Sequence, residues 1–115
     1  MAIDKNLLTG STTMLILKLL EGQDMYGYQM IGELARRSDN TFELKAGTLY
    51  PLLHSLEEKG LISSYEKDED TQRPRRYYKI NRKGRKLLAK KHAEWTTYAS
   101  AVKRFMEGGV SYANA

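Results

Sequence analysis

The sequence has no cysteine among its 115 residues, which excludes disulfide bonds. Its longest apolar stretch, residues 14–20, is interrupted by Lys18 and is too short to span a bilayer. The first ten residues lack a basic flank followed by an apolar run, so they predict no secretion signal. These absences favour a protein of the reducing cytoplasm with no membrane partner.

Motifs for catalysis and for cofactor binding are also missing. The sequence has no Gly-rich phosphate loop, no GxSxG elbow and no cysteine nucleophile. Its two histidines, His54 and His92, fall on different predicted helices and do not predict a metal pair. Asp68 and Asp70 have the spacing that opens a calcium loop, but Lys79 stands where that loop requires glutamate. We therefore predict no enzyme activity, no cofactor and no metal site.

Acidic residues are absent from residues 73–91, a segment that holds ten lysines and arginines. Because this segment carries +10 and the whole chain carries +5, the remaining residues sum to −5. A solvated helix face would explain residues 82–91 taken alone, but such faces usually mix the two signs. The segregation of charge favours an electrostatic footprint for nucleic acid.

The strongest periodic pattern lies in residues 46–62, in a chain whose length and 41% hydrophobic content suit one globular domain. Gly60 is placed to stop a helix in the left-handed conformation. Pro51 is tolerated only near a helix start, so the helix begins no earlier than Ala46. Four leucines at i, i+3, i+4 and i+7 predict its buried stripe: Leu49, Leu52, Leu53 and Leu56.

Two further helices are predicted before this one. The first runs from about Asp4 to Glu21, and its apolar residues cover more than one face, so it needs cover on two sides. The second runs from about Tyr26 to Arg37, and four of its residues are predicted to face inward: Tyr28, Ile31, Leu34 and Ala35. A weak alternation in residues 41–44 predicts a short strand.

After Gly60 the period changes to two, which predicts a β-hairpin from residues 61–67 and 76–80 with a charged loop between them. Asn81 is a favourable N-cap for a last helix that runs to about Met106.

The last helix carries an apolar seam. Leu88, Trp95 and Val102 are spaced by seven, and the helix is longer than the body of a small domain needs. The seam would stay in contact with water in a monomer, so a second subunit is its simplest cover.

The order helix, helix, helix, hairpin, long helix is that of a winged helix-turn-helix followed by a dimerisation helix. The predicted fold class is therefore mainly α with a small β-hairpin. Three motifs narrow the assignment: YGY at residues 26–28, GTLYPLLHSLEEKGLI at residues 47–62 and RRYYKINRKG at residues 75–84. Together they resemble the PadR family of bacterial transcriptional regulators, and the single C-terminal helix resembles its compact subgroup.

This resemblance implies a homodimeric repressor that binds a pseudo-palindromic operator in double-stranded DNA and releases it when a small molecule binds. It divides the chain into a winged helix-turn-helix domain at 1–80, a dimerisation helix at 81–107 and a flexible tail at 108–115. A protein–protein interaction module that uses the same fold is the alternative, with the basic wing serving solubility. The two differ in salt dependence, because phosphate contacts weaken steeply as salt rises.

The helix at residues 46–58 contains no lysine or arginine, so DNA affinity must come from its neighbours. The predicted cationic contacts are Lys45, Arg73, Arg75 and Arg76. The predicted base-edge or close backbone contacts are Gly47, Thr48, Tyr50, Pro51 and His54. Two alternatives stay open, since Tyr50 could be a half-buried core ring and His54 a solvent-exposed neutral side chain.

Trp95 has two interpretations. The first is an anchor of a dimer interface that comprises Leu7, Leu8, Leu88, Trp95, Ala99, Val102, Phe105 and Met106. The second follows from the resemblance, because in drug-responsive PadR-like regulators a tryptophan at a similar place in the last helix stacks on planar ligands. Helical spacing supplies the remaining walls of such a slot for a small aromatic effector: Met14, Leu17, Tyr98 and Val102.

Overall fold

The computed structural model describes residues 3–68 and 73–108. Within these ranges the chain forms helices that pack against one face of a small antiparallel sheet, so the predicted winged helix-turn-helix architecture is confirmed. The charged loop at residues 69–72 and nearly all of the predicted tail, residues 109–115, lie outside the described ranges. The elements in chain order are α1 (Lys5–Thr9), α2 (Thr12–Gly22), β1 (Met25–Tyr26), α3 (Gly27–Arg37), α4 (Ala46–Glu58), β2 (Ile62–Lys67), β3 (Arg75–Ile80) and α5 (Arg82–Gly108).

The first predicted helix is two helices, so its prediction as one continuous element is wrong. The carbonyl oxygen of Leu8 accepts the Ser11 N–H at 2.9 Å and the hydroxyl of the buried Thr12 at 2.9 Å. The Thr12 hydroxyl therefore takes the place of the i+4 N–H that a continuous helix would supply. The chain turns at Gly10 and begins again as α2.

The inward face of α3 differs from the prediction. Tyr28 is 68% exposed, whereas Met30 and Leu34 are buried. Met25, one residue before the turn into α3, is also fully buried and pairs with Tyr78 in the sheet. This pairing fixes how α3 leaves the sheet, and it rotates Tyr28 outward. The prediction that Tyr28 faces inward is wrong.

The leucine-striped helix α4 begins and ends where the sequence predicts. Gly60 adopts a φ of 74°, which is the left-handed helix stop expected from the sequence. Each fully buried leucine contributes on the order of 1.5–3 kcal/mol of hydrophobic stabilisation. Three of the four predicted leucines are buried and the fourth packs partly against them: Leu49, Leu53, Leu56 and Leu52.

The sheet has the strand order β1-β3-β2, and all its pairs are antiparallel. The prediction of a strand at residues 41–44 is wrong, since this segment is a loop. Asp39 and Asn40 have positive φ, and the Ser38 hydroxyl accepts the Phe42 N–H at 2.9 Å, so the backbone turns here. Leu44 is the one residue of this segment that is buried, and it packs in the hydrophobic core. The unpredicted third strand is β1.

The start of α5 is fixed against the end of α4 and the start of β2. The Asn81 amide donates to the Gly60 carbonyl at 3.2 Å and accepts from the Ser63 hydroxyl at 3.2 Å. A Cβ on Gly84 would overlap the Leu61 carbonyl oxygen, so only glycine permits this approach. None of the helices in the described ranges has the length and hydropathy that crossing a membrane requires.

Candidate nucleic-acid interface

The outer face of α4 is open to solvent because its leucine stripe holds the opposite face in the core. The residues before Glu57 on this face are small, polar or aromatic, so the backbone of the first two turns can approach another surface closely. The predicted contact residues that the structure places there are exposed: Gly47, Thr48, Tyr50, Pro51 and His54, with Lys45 exposed at the N-cap.

Tyr50 combines a structural position with an exposed edge. Its side chain lies against Gly27, where an added Cβ would overlap the hydroxyl, and its ring meets that of Tyr28 edge-on at 6.4 Å. Burial raises the pKa of the Tyr50 hydroxyl above its ordinary value. The residue is still 39% exposed. Tyr50 therefore joins α3 to α4 and also presents surface beside the contact face.

His54 lies on the exposed face of α4, one turn before Glu58. Its Nε2 is 3.4 Å from the Glu58 carboxylate, and both side chains are well exposed. An exposed pair of this kind contributes little to stability. The position of His54 is therefore compatible with a DNA contact and with a plain solvated side chain.

Strand β3 of the wing and the exposed face of α4 border one cleft of about 650 Å³. Tyr50 of α4 lines it from one side and the two arginines of β3 line it from the other. The structure thus brings together two sets of candidate residues that are 25 positions apart in sequence. The full lining consists of Tyr26, Gly27, Tyr28, Tyr50, Arg75, Arg76 and Tyr78.

The two arginines of β3 point to opposite faces of the sheet, as successive strand residues must. Arg76 donates to the Ser64 hydroxyl at 2.8 Å and lies 3.9 Å from the Glu66 carboxylate. Arg75 instead lies over the ring of Tyr26, with 4.4 Å between its Cζ and the ring centroid. Arg73, the third predicted wing cation, is exposed just before β3.

An aromatic row crosses the outer face of the sheet, and no sequence pattern predicted it. Tyr26 meets Tyr77 edge-on at 5.5 Å, and Tyr77 stacks on Tyr65 at 5.8 Å. The Tyr65 hydroxyl donates to the Asp24 carboxylate at 2.6 Å, and this bond raises the pKa of Tyr65 to about 12. Tyr65 and Tyr77, one on each strand of the hairpin, were the available signal, but the third ring comes from the unpredicted strand β1.

Trp95 is 48% exposed and lies between two cavities of about 670 and 480 Å³. Met14 lines both cavities, and Tyr98 lines the larger one. Two predicted wall residues lie elsewhere, because Leu17 is fully buried in the core and Val102 is exposed one turn beyond Tyr98. Phe42, which the sequence did not predict, lines both cavities from the loop before α4.

The predicted dimer residues differ in their exposure. Leu8 and Leu88 are buried within this chain, so they belong to its own core and are not available to a partner; their prediction as interface residues is wrong. Ala99 is partly exposed. The others form an exposed apolar face on α5 and α1: Leu7, Trp95, Val102, Phe105 and Met106, joined by Tyr98.

The chain resembles known proteins along most of its length. The model of the transcriptional regulator PadR-like family matches residues 16–90. An uncharacterized protein from Lysinibacillus sphaericus is 32% identical over 106 residues, which cover 92% of this chain and 97% of that protein. The solved structure of a transcriptional regulator from Clostridium thermocellum has a TM-score of 0.83 at 30% identity, covering 91% of this chain and 99% of that one. A PadR family transcriptional regulator from Eggerthella lenta has a TM-score of 0.78 at 32% identity, covering 89% of this chain and 87% of that one.

Proposed function

The chain belongs to the PadR-like family of transcriptional regulators, and from that membership we propose that it is a homodimeric repressor of a pseudo-palindromic DNA operator. The family consists of DNA-binding regulators rather than enzymes. The described residues form a winged helix-turn-helix and one long helix. A protein of this build regulates most simply by occupying promoter DNA, which represses transcription. The proposed location is the cytoplasm.

The observation that carries the proposal is the shared cleft between α4 and β3. Tyr50 from the helix and Arg75 and Arg76 from the wing line the same 650 Å³ space. A DNA backbone that follows this cleft would bring base edges to α4 and phosphates to the wing.

Affinity and sequence choice are divided between the two elements. The face of α4 offers no cation, so it can distinguish bases by close approach and hydrogen bonding but cannot neutralise phosphates. The wing arginines and Lys45 at the α4 N-cap provide the charge. Neither element would hold an operator alone.

The exposed apolar face of α5 supports the homodimer. Phe105 is 80% exposed and Met106 is 75% exposed, in the same half of the helix as Trp95 and Val102. Large apolar side chains in one contiguous exposed face mark an interaction surface. A second copy on this face would set two α4 helices on one side of the dimer, which is what a two-fold operator requires.

The two cavities beside Trp95 support a small aromatic effector. They are bounded by α2 and α5, with Met14 and Phe42 as apolar walls and Trp95 as the flat surface between them. A planar molecule stacked on Trp95 would separate α2 from α5. The proposed effect is to change the angle between the two DNA-binding bodies and so to release the operator.

The test is binding to the inverted repeat found upstream of the gene that encodes this chain, measured by fluorescence anisotropy at several salt concentrations. Wild-type affinity should fall on the order of ten- to a thousand-fold between low and physiological salt. The double variant Arg75→Gln/Arg76→Gln should lose at least about ten-fold in affinity and should have a shallower salt slope.

The matched control is Arg36→Gln/Arg37→Gln, which also removes two positive charges. These arginines pair with Glu33 at the far end of α3, about 14 Å along the helix from Gly27. The control should bind DNA as wild type does. Two results would contradict the proposal and favour the protein–protein interaction module. The first is an equal loss of DNA affinity in both variants, and the second is a wild-type affinity that does not change with salt concentration.

A further inference from the structure

Two cations face each other across the wing. Lys67 and Arg75 are direct cross-strand partners in the β2–β3 pair, so their side chains leave the same face of the sheet. Like charges placed directly opposite destabilise a sheet. The adjacent pair shows the ordinary solution, since Glu66 lies opposite Arg76 and its carboxylate lies 3.9 Å from the Arg76 guanidinium.

Both cations are held over aromatic rings of the same face. The Lys67 Nζ lies 5.4 Å from the centroid of the Tyr77 ring, and the Arg75 Cζ lies 4.4 Å from the centroid of the Tyr26 ring. These distances are within the range of a cation–π interaction. The rings attract the two charges without neutralising them.

The hydrogen-bonding capacity of this pair is not used within the described part of the chain. Across residues 3–68 and 73–108, no hydrogen bond or ion pair engages the side chain of either residue. A guanidinium has five N–H donors and an ammonium has three, and an aromatic face accepts none of them strongly. Within those ranges the pair is thus a concentrated, ordered set of donors that lacks an anion.

We propose that Lys67 and Arg75 form a two-cation site for one phosphate of the DNA backbone, with Tyr77 and Tyr26 as its positioning residues. The site deepens the proposed DNA-binding function and rests on it. Lys67 enters as a DNA-contacting residue on β2, whereas Arg75 and Arg76 lie on β3. Because both side chains are already held over rings, little rotamer freedom is lost when the phosphate binds.

The aromatic row explains how the site keeps its geometry. Tyr26, Tyr77 and Tyr65 lie side by side across the three strands, and the Tyr65 hydroxyl is tied to Asp24. The two cations therefore rest on a surface that is attached to the helical body. A phosphate bound there fixes the wing relative to α4.

The experiment compares Lys67→Gln with Lys79→Gln. Lys79 is also an exposed lysine on the outer face of the sheet, four residues along β3 from Arg75. For the same operator DNA, Lys67→Gln should weaken binding about ten-fold and lower the salt slope by about 0.9 for each phosphate that is no longer neutralised. Lys79→Gln should weaken binding less than about two-fold.

Thermal unfolding of the free protein supplies the second measurement. Lys67→Gln removes both the repulsion by Arg75 and the attraction of the Tyr77 ring, which are of similar size, so its Tm should stay within about 4 °C of wild type while DNA affinity falls. A loss of affinity without a comparable loss of stability is expected of a site that binds an anion. Replacing a residue that only supports the wing would lower the Tm and the DNA affinity together.

Four outcomes decide the matter. Weaker DNA binding of Lys67→Gln, with a Tm within about 4 °C of wild type, supports the site. Unchanged DNA binding of Lys67→Gln, with wild-type binding still salt-dependent, overturns the site and leaves the proposed function standing. A Tm more than about 4 °C below that of wild type shows that Lys67 chiefly supports the wing and also overturns the site. Failure of the wild type to bind the DNA overturns the proposed function and the site together.

Discussion

The hydroxyl of Tyr50 occupies the space that a Cβ on Gly27 would need. Gly27 begins α3 and Tyr50 lies in the second turn of α4, so this contact sets how closely the two helices of the helix-turn-helix approach. The glycine of the YGY motif is therefore explained by the tyrosine of the leucine-striped helix.

Replacing Gly27 with alanine should cost about 1–3 kcal/mol of unfolding free energy, because the Tyr50 side chain must leave its position. Urea unfolding measures the cost, and operator affinity should fall with it because α4 shifts. Gly32→Ala is the control, since Gly32 is in the same helix and nothing lies within 4 Å of its Cβ position. That control should gain up to about 1 kcal/mol. Similar losses in both variants would contradict the role of the contact.

The bond between Tyr65 and Asp24 should give the wing an alkaline limit. Because the pKa of Tyr65 is raised from 10 to about 12, its protonated hydroxyl stabilises the fold fully below about pH 10. This stability is lost as pH rises towards 12. Thermal unfolding from about pH 8 to 12 should therefore show a steeper alkaline decline for wild type than for Tyr65→Phe. Asp24→Asn should behave like Tyr65→Phe, and a steep decline retained in both variants would contradict the assignment.

A charge placed in the exposed face of α5 should separate the proposed dimer. Val102→Glu would force a carboxylate into a desolvated interface, which is strongly unfavourable. Sedimentation velocity should show the mass of one chain, 13.2 kDa, at concentrations where wild type shows twice that mass. Arg104→Glu, which lies on the other side of the same turn, should leave the mass unchanged. If Val102→Glu kept the wild-type mass, the interface would have to lie elsewhere.

Trp95 should report the proposed effector directly, because it is the only tryptophan in the chain. A planar cationic acridine dye should quench its fluorescence along a saturable curve. Met14→Ala and Tyr98→Ala, which alter the cavity lining, should weaken the affinity for the dye about ten-fold. Thr97→Ala is exposed and outside that lining, so it should bind as wild type does. Linear quenching without saturation would rule out a specific slot.

The parts of the fold that were predictable are those with a repeated pattern. The leucine stripe of α4 and Gly60 after it predicted the helix bounds, because burial and backbone conformation leave few alternatives there. The two-residue strand β1 has no period to detect. Its pairing with β3 decided which face of α3 is buried, so the position of Tyr28 could not be read from α3 alone.

The candidate site was predictable where a residue type already indicates its role, as with the wing arginines. Lys67 was missed because a single lysine in a strand carries no signal until its cross-strand partner is known. Leu17 was misplaced among the cavity walls because a helix that is apolar on two faces does not reveal which of them meets the core. Tertiary contacts supplied this information in each case.

The junction at Gly60, Asn81 and Gly84 joins two helices of unequal length. From this junction α5 extends for 27 residues, about 40 Å, and α4 extends for 13 residues, about 20 Å. A rotation of about 5° at this point would displace the far end of α5 by about 3.5 Å and the N-terminal end of α4 by about 1.7 Å. The donor–acceptor distance of a hydrogen bond varies by only about 0.5 Å. A movement comparable to the thickness of one aromatic ring is therefore enough to take Gly47 and Thr48 out of bonding range of a base pair.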